Sequence, residues 1–254
     1  ILFYMQSVFE IFRGSLHLYT KQYKGFLPFL GYFFLIGIAA RFLLDSWPFF
    51  ASKGFVGTYA FLIIEVGLLL CQLLISLSMF RHTLALAQGK PTQAALATVL
   101  DTKKYLFSGL WVASLQTVCI VLGLLFLIIP GIILSITLLF SVIIFLDQNK
   151  RGLSALQASH ALVSGKIPAI LGKCISLILI LMVLMTVVSY AIGYAVTIIL
   201  SFTPILYSSS LTEFRSWLFT AISMIVALSF VPLTTTILVL LYEDTRRSKE
   251  MTMP

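Results

Sequence analysis

From Leu122 to Asp147 the chain reads LGLLFLIIPGIILSITLLFSVIIFLD, two apolar runs that meet at Pro130-Gly131 with no polar loop between them. Proline cannot continue helical hydrogen bonding, and glycine accepts the backbone angles of a sharp reversal. The stretch therefore predicts a helical hairpin turning at Pro130 and Gly131. Such a run in water is an aggregation hazard; in a bilayer it is two arms of a membrane-embedded hairpin.

The rest of the chain agrees. Of 254 residues, 60% are hydrophobic and 10% charged, where soluble domains carry roughly 25% charged residues. The apolar segments are two to three times the roughly 10 residues of a barrel strand. The fold class expected is an all-α polytopic membrane protein with six spans arranged as three hairpins. The spans are read at about 25–44, 55–80, 106–129, 132–146, 174–202 and 214–242, with residues 243–254 as a polar tail. The fourth is slightly short of a full crossing, and Pro232 is expected to kink the sixth.

Residues 1–22 form an amphipathic segment: Met5, Phe9, Phe12, Leu16 and Tyr19 on one side, Gln6, Glu10, Arg13, His17 and Lys21 on the other. This predicts a helix lying in the membrane interface, or one packed on a partner protein. Ile1 in place of Met leaves a missing native start open, and no cleavable signal peptide is visible.

The net charge of +8 is not read as a nucleic-acid footprint, because the basic residues are spread over several loops. They sort by side instead. With the N-terminus inside, Arg13, Lys21, Lys24, Arg81, Lys90, Lys103, Lys104, Lys150, Arg151, Lys166, Lys173, Arg246, Arg247 and Lys249 fall inside. Only Arg41, Lys53 and Arg215 of the seventeen fall outside. Both termini are then cytoplasmic. The stretches SLHLYTKQYKGFL, AALATVLDTKKYLF and ALQASHALVSGKIPAIL precede the first, third and fifth spans. They suggest a threefold repeat of amphipathic helix plus hairpin, against the alternative that any basic segment entering a membrane looks alike.

Candidate site residues are few. Glu65 is an acid deep within a span, where a charge costs about 2.5–3.5 kcal/mol on insertion scales, so it is a functional candidate by default. Arg41 is its expected partner, with Asp45 competing for Arg41 at i+4. Gln72 and Gln116 extend the polar patch, as helix–helix glue or as part of a pathway. Gly31, Gly37, Gly57, Gly67, Gly123 and Gly193 are read as close-packing points, and Tyr190 and Tyr194 as packing residues or a cavity lining. Lys103, Lys104, Lys150, Arg151, Arg246 and Arg247, at span ends, are candidates for contact with anionic headgroups. Cys71, Cys119 and Cys174 read as buried small hydrophobes. His17, His82 and His160 lack a second ligand at metal-site spacing, and no cofactor is expected.

The hairpin IIPGIILSITLLFSVIIFLD followed by RGLSALQASHALVSGK resembles the YciC-like bacterial inner-membrane proteins, a group related to the membrane region of some glycerophosphodiester phosphodiesterases. Asp147, Gly152, Ala155-Leu156, Ser159 and Lys166 stand where the group's pattern has them, and Tyr242-Glu243-Asp244-Thr245-Arg246-Arg247 resembles its ending. The resemblance covers residues 105–247 and implies a fold and a bacterial inner-membrane location, with no phosphodiesterase domain in this chain.

Three functional readings stay open. The chain is a non-enzymatic accessory or scaffold component packing on phospholipids, other membrane subunits or itself. Alternatively it is a transporter or permease subunit built around Glu65, or a membrane enzyme acting on lipids.

Overall fold

The structure, a computed structural model, describes residues 7–201 and 212–251. Met5, Gln6 and the C-terminal end of the fifth span at Phe202 lie outside them. The described residues form α-helices and no strand: α1 (Val8–Lys21), α2 (Tyr23–Asp45), α3 (Trp47–Ser52), α4 (Gly54–Ala87), α5 (Ala95–Thr102), α6 (Leu106–Phe126), α7 (Ile128–Thr137), α8 (Ser141–Gln148), α9 (Leu153–Val163), α10 (Ile167–Ser201) and α11 (Thr212–Glu250). Six stretches are long and apolar enough to cross a membrane: α2, α4, α5 with α6, α7 with α8, α10 and α11. The chain is an all-α multi-pass membrane protein.

A short helix precedes the first, third and fifth spans, namely α1, α5 and α9. Each packs on the second arm of a different hairpin: α5 on α4, α9 on α8, and α1 on α11. The docking is cyclic, so the first unit's short helix closes on the last hairpin. The N-terminal helix and the C-terminal end of α11 therefore lie at the same end of the bundle.

Helix α1 starts on a capping box. Ser7 Oγ accepts from the Glu10 backbone N–H at 3.2 Å, and the Ser7 N–H donates to Glu10 Oε2 at 2.7 Å. Ile11 and Ser15 are fully buried, with Val8, Phe12 and Tyr19 beside them in the core. Phe9 and Leu16, expected on that stripe, are exposed. The difference follows from packing: one face of α1 lies against α11 and α10, and the adjoining face is left exposed.

The hairpin turns three residues earlier than the sequence predicts. Leu127 is extended (φ −159°, ψ 136°) and separates α6 from α7, while Pro130 sits in the first turn of α7. There its missing N–H is one that a helix start leaves unpaired anyway. Gly131 is not the turn residue but the contact point. A Cβ on Gly131 would meet the Leu124 backbone N at 2.7 Å, and one on Gly123 would meet Gly131 Cα at 3.1 Å. The flanking Leu125, Phe126, Ile128 and Ile129 are all exposed, as suits a tip held in hydrocarbon.

The fourth span is also not one helix. α7 ends at Thr137 and α8 begins at Ser141. Ser159 of α9 repairs the gap: its Oγ donates to the Thr137 carbonyl at 2.8 Å and accepts from the Phe140 N–H at 3.2 Å. A broken helix is tolerated at membrane depth when protein satisfies the freed groups. This is the most enclosed span, with 50% of its apolar window buried against 6% for α10. Helix α11 runs unbroken through Pro232 and on to Glu250, so most of the expected polar tail is helix.

The glycines divide. Gly37 faces Met224, Gly57 faces the Phe50 backbone, and Gly123 faces Gly131. Gly31, Gly67 and Gly193, read from sequence as packing points, have open space beyond them. They lie on faces the chain does not cover itself.

Candidate functional site

Polar side chains from separate spans converge at the end where α4, α8 and α11 finish. Asp147, at the end of α8, is 10% exposed at its side chain. Its Oδ1 accepts from Gln88 Nε2 at 2.9 Å; its Oδ2 accepts from Tyr242 Oη at 2.8 Å and Arg246 Nη1 at 3.0 Å. Gln88 Nε2 also donates to Glu243 Oε1 at 3.0 Å. One carboxylate thus ties three helix ends, and its charge is balanced by a guanidinium. A charge buried without such partners is strongly unfavourable.

A second set joins α10 to α11. Lys173 Nζ lies 2.8 Å from Asp244 Oδ2, the two side chains 11% and 6% exposed. Lys166, just before α10, donates to Ser248 Oγ at 2.7 Å. Burial pushes the Lys166 ammonium below the ordinary lysine value, and nearby Lys249 adds to this while Asp244 opposes it. Lys249 Nζ reaches back to the Ala161 carbonyl at the end of α9.

Residues carrying the family resemblance meet here. Asp147, Tyr242 and Arg246 bond to one another, and Ser159 bridges the broken span. Ala155 and Leu156 are buried beside it. Gly152 has a positive φ of 56°, and a Cβ there would meet Trp111 at 3.3 Å. Gln88, Glu243, Asp244 and Lys173 were not singled out from sequence for this role. The available signal was polar side chains placed at the last turn of apolar spans.

Between the α4–α5 connection and α8 lies a cavity of about 260 Å³, lined by residues that include Arg81, His82, Gln88, Lys90, Gln93 and Asp147. Arg81 Nη1 lies 2.5 Å from Asp101 Oδ2, and its guanidinium sits over the Tyr105 ring at 5.5 Å. His82 is buried against Phe26 and Phe29, with ring centroids 5.6 and 5.4 Å away. Its Nδ1 is buried without a hydrogen-bond partner among the described residues. A wider cleft of about 590 Å³ adjoins, sharing Gln88, Lys90 and Asp147 and adding Arg246 and Arg247.

The intramembrane candidates do not assemble. Arg41 pairs with Asp45 Oδ1 at 3.2 Å one turn along α2 and sits over the Trp217 ring at 5.7 Å. A partner on its own helix needs no reach across the bundle, and Glu65 is left half-buried with no ion pair among the described residues. Gln72 is exposed and Gln116 half-buried, and no hydrogen bond joins them to Glu65. Tyr190, Gly193 and Tyr194 line an open groove on α10 with Met182 and Met185.

The headgroup candidates are dispersed over this same end. Lys104 is held by Asp101 at 2.7 Å, and Arg246 by Asp147 and Glu250. Lys103, Lys150, Arg151 and Arg247 are exposed. Comparison of the chain with protein-family models, curated proteins and solved structures finds no match.

Proposed function

We propose that the chain is a non-enzymatic integral component of a bacterial cytoplasmic membrane, with both termini on the cytoplasmic side. In this reading it is an accessory or scaffold subunit that packs on phospholipids and other membrane proteins. The residue pattern it shares with the YciC-like group supports the same compartment.

The observation that carries the proposal is the contrast between its two ends. Polar side chains lock one end, while the apolar walls of α2, α4, α6 and α10 stay uncovered by the chain itself, α10 with 6% of its window buried. Membrane helices associate through close packing at small residues and through interhelical hydrogen bonds. Gly31, Gly67 and Gly193, open on those walls, are positions where another helix can approach closely. Native mass spectrometry of the protein released gently from its own membrane is the test. A stoichiometric protein partner is the expected result, and a lone chain across mild release conditions refutes the proposal.

A second reading rests on Glu65 alone, a half-buried acid of α4 without an ion-pair partner among the described residues. A permease subunit would require it for flux. Transport in proteoliposomes that is unchanged by Glu65→Ala removes that reading.

A further inference from the structure

We infer that the cavity between the α4–α5 connection and α8 is a binding site for a phosphate group, carried by a phospholipid headgroup or by free phosphate. Free donors outnumber free acceptors in its lining. Asp147 is the carboxylate in the lining, and its oxygens already accept from Gln88, Tyr242 and Arg246. It has little capacity left to hold a cation. Gln88 is spent on Asp147 and Glu243, but other donors remain. Arg81 offers five N–H groups, and Asp101 faces only Nη1. Lys90 is exposed and free of ion pairs among the described residues. The side chains of Thr92 and Gln93 make no described hydrogen bond.

His82 gives a second, independent indication. The residue is 5% exposed and lines the cavity, and its buried Nδ1 has no hydrogen-bond partner among the described residues. A buried polar atom left unpaired is costly, so such atoms in native proteins point to something absent from the bare chain. An oxyanion would complete it by accepting from an Nδ1–H. Helix α5 begins beside the cavity on Ala94, which provides no side-chain cap. Its first N–H groups therefore add to the positive end presented there.

The volume of about 260 Å³ accepts a headgroup, not a whole lipid. Leu96 and Leu100 are exposed on α5, the helix whose Thr98 lines the cavity, so acyl chains have an apolar surface on the outer face of that helix. Both sources present the same phosphate oxygens, and they differ in whether those chains are needed.

The experiment uses the full chain in phosphatidylcholine nanodiscs. Phosphatidylglycerol is titrated in and counted by native mass spectrometry; separately, inorganic phosphate is added and the unfolding midpoint is read against chloride at equal ionic strength. Lys90→Gln tests the site and Lys53→Gln, an exposed basic residue at the opposite end of α4, is the control. The expected result is binding of one of these probes, weakened about tenfold by Lys90→Gln and unchanged by Lys53→Gln. Phosphatidylglycerol retention alone identifies the lipid source, and stabilisation by inorganic phosphate identifies the free ion. The His82 imidazole ¹⁵N resonances shift on saturation. Failure of both probes, equal weakening by the two substitutions, or an unmoved His82 signal overturns the inference. Gln93→Ala, on the same exposed connection, must weaken binding in the same direction. A chain that binds protein partners but neither probe leaves the scaffold proposal standing.

Discussion

Ser159→Ala is the most direct test of how this membrane core holds together. The hydroxyl is fully buried and is the bridge across the break between α7 and α8. Removing it leaves the Thr137 carbonyl without its bond from α9 and the Phe140 N–H without its acceptor. An unsatisfied buried backbone group costs about 1–3 kcal/mol, and water is scarce at this depth. Alanine is the better helix former, which returns about 0.5 kcal/mol to α9. For the two groups together the net expectation is a loss of about 1.5–5.5 kcal/mol. The assay is reversible unfolding in mixed micelles, with Ser154→Ala as control. Ser154 is exposed on the same helix and bonds only to the Arg151 carbonyl three residues back, so its removal should change stability by less than about 0.5 kcal/mol. If Ser159→Ala matches that control, the hydroxyl does not sustain the broken span and the account of α7 and α8 is wrong.

Other substitutions separate the remaining roles in the same unfolding assay. Pro130→Ala should be nearly neutral, within about 0.5 kcal/mol, while Gly131→Ala should cost about 1–3 kcal/mol because its methyl meets Leu124; the reverse order would restore proline as the turn-maker. Asp147→Asn exchanges an acceptor for a donor facing Gln88 and leaves Arg246 only its Glu243 and Glu250 partners, for a loss of about 1.5–3 kcal/mol; an unchanged midpoint would mean that the three helix ends are tied by other contacts. Arg41→Met should cost under about 1.5 kcal/mol, from an exposed i,i+4 pair with Asp45 and a stack on Trp217 of α11, and a larger loss would revive a pairing with Glu65. Lys166 has a folded-state value lowered by burial, so the unfolded chain binds the extra proton and stability rises with pH just below 10.5. Lys166→Met should flatten that rise; a slope that survives belongs to another group.

The class of fold was legible because membrane solvent imposes long apolar runs, and a run such as Leu106–Phe126 admits one reading. The amphipathic lead-ins before the first, third and fifth spans were also visible, at α1, α5 and α9. What was not legible depends on packing. A proline-glycine pair signals a turn, yet nothing in IIPG says that Leu127 will take the extended backbone and leave proline its favoured place in a first helical turn. The broken fourth span was invisible because Ser159, which makes it possible, lies more than twenty residues beyond Thr137. Glu65 drew attention by the cost of a charge at depth, and Arg41 by being a nearby cation. Their separation follows from Asp45, which is closer to Arg41 along α2 than any residue across the bundle can easily be.

These features bear on one another. Between helices in lipid there is no hydrophobic driving force like that in water, so cohesion depends on close packing and interhelical hydrogen bonds. The cross-helix side-chain hydrogen bonds described here lie at the end where Asp147, Tyr242, Gln88 and Asp244 sit, together with the Ser159 bridge below it. Toward the other end, the contacts include Gly37 on Met224 and Trp47 on Phe61, and much of α4 and α10 faces outward. A helix docking on those faces would add packing where the chain has least of its own. It would leave the locked end, and the phosphate cavity within it, unchanged. Protein partners and phosphate should therefore bind without competing, and saturating the purified chain with one should not alter its affinity for the other.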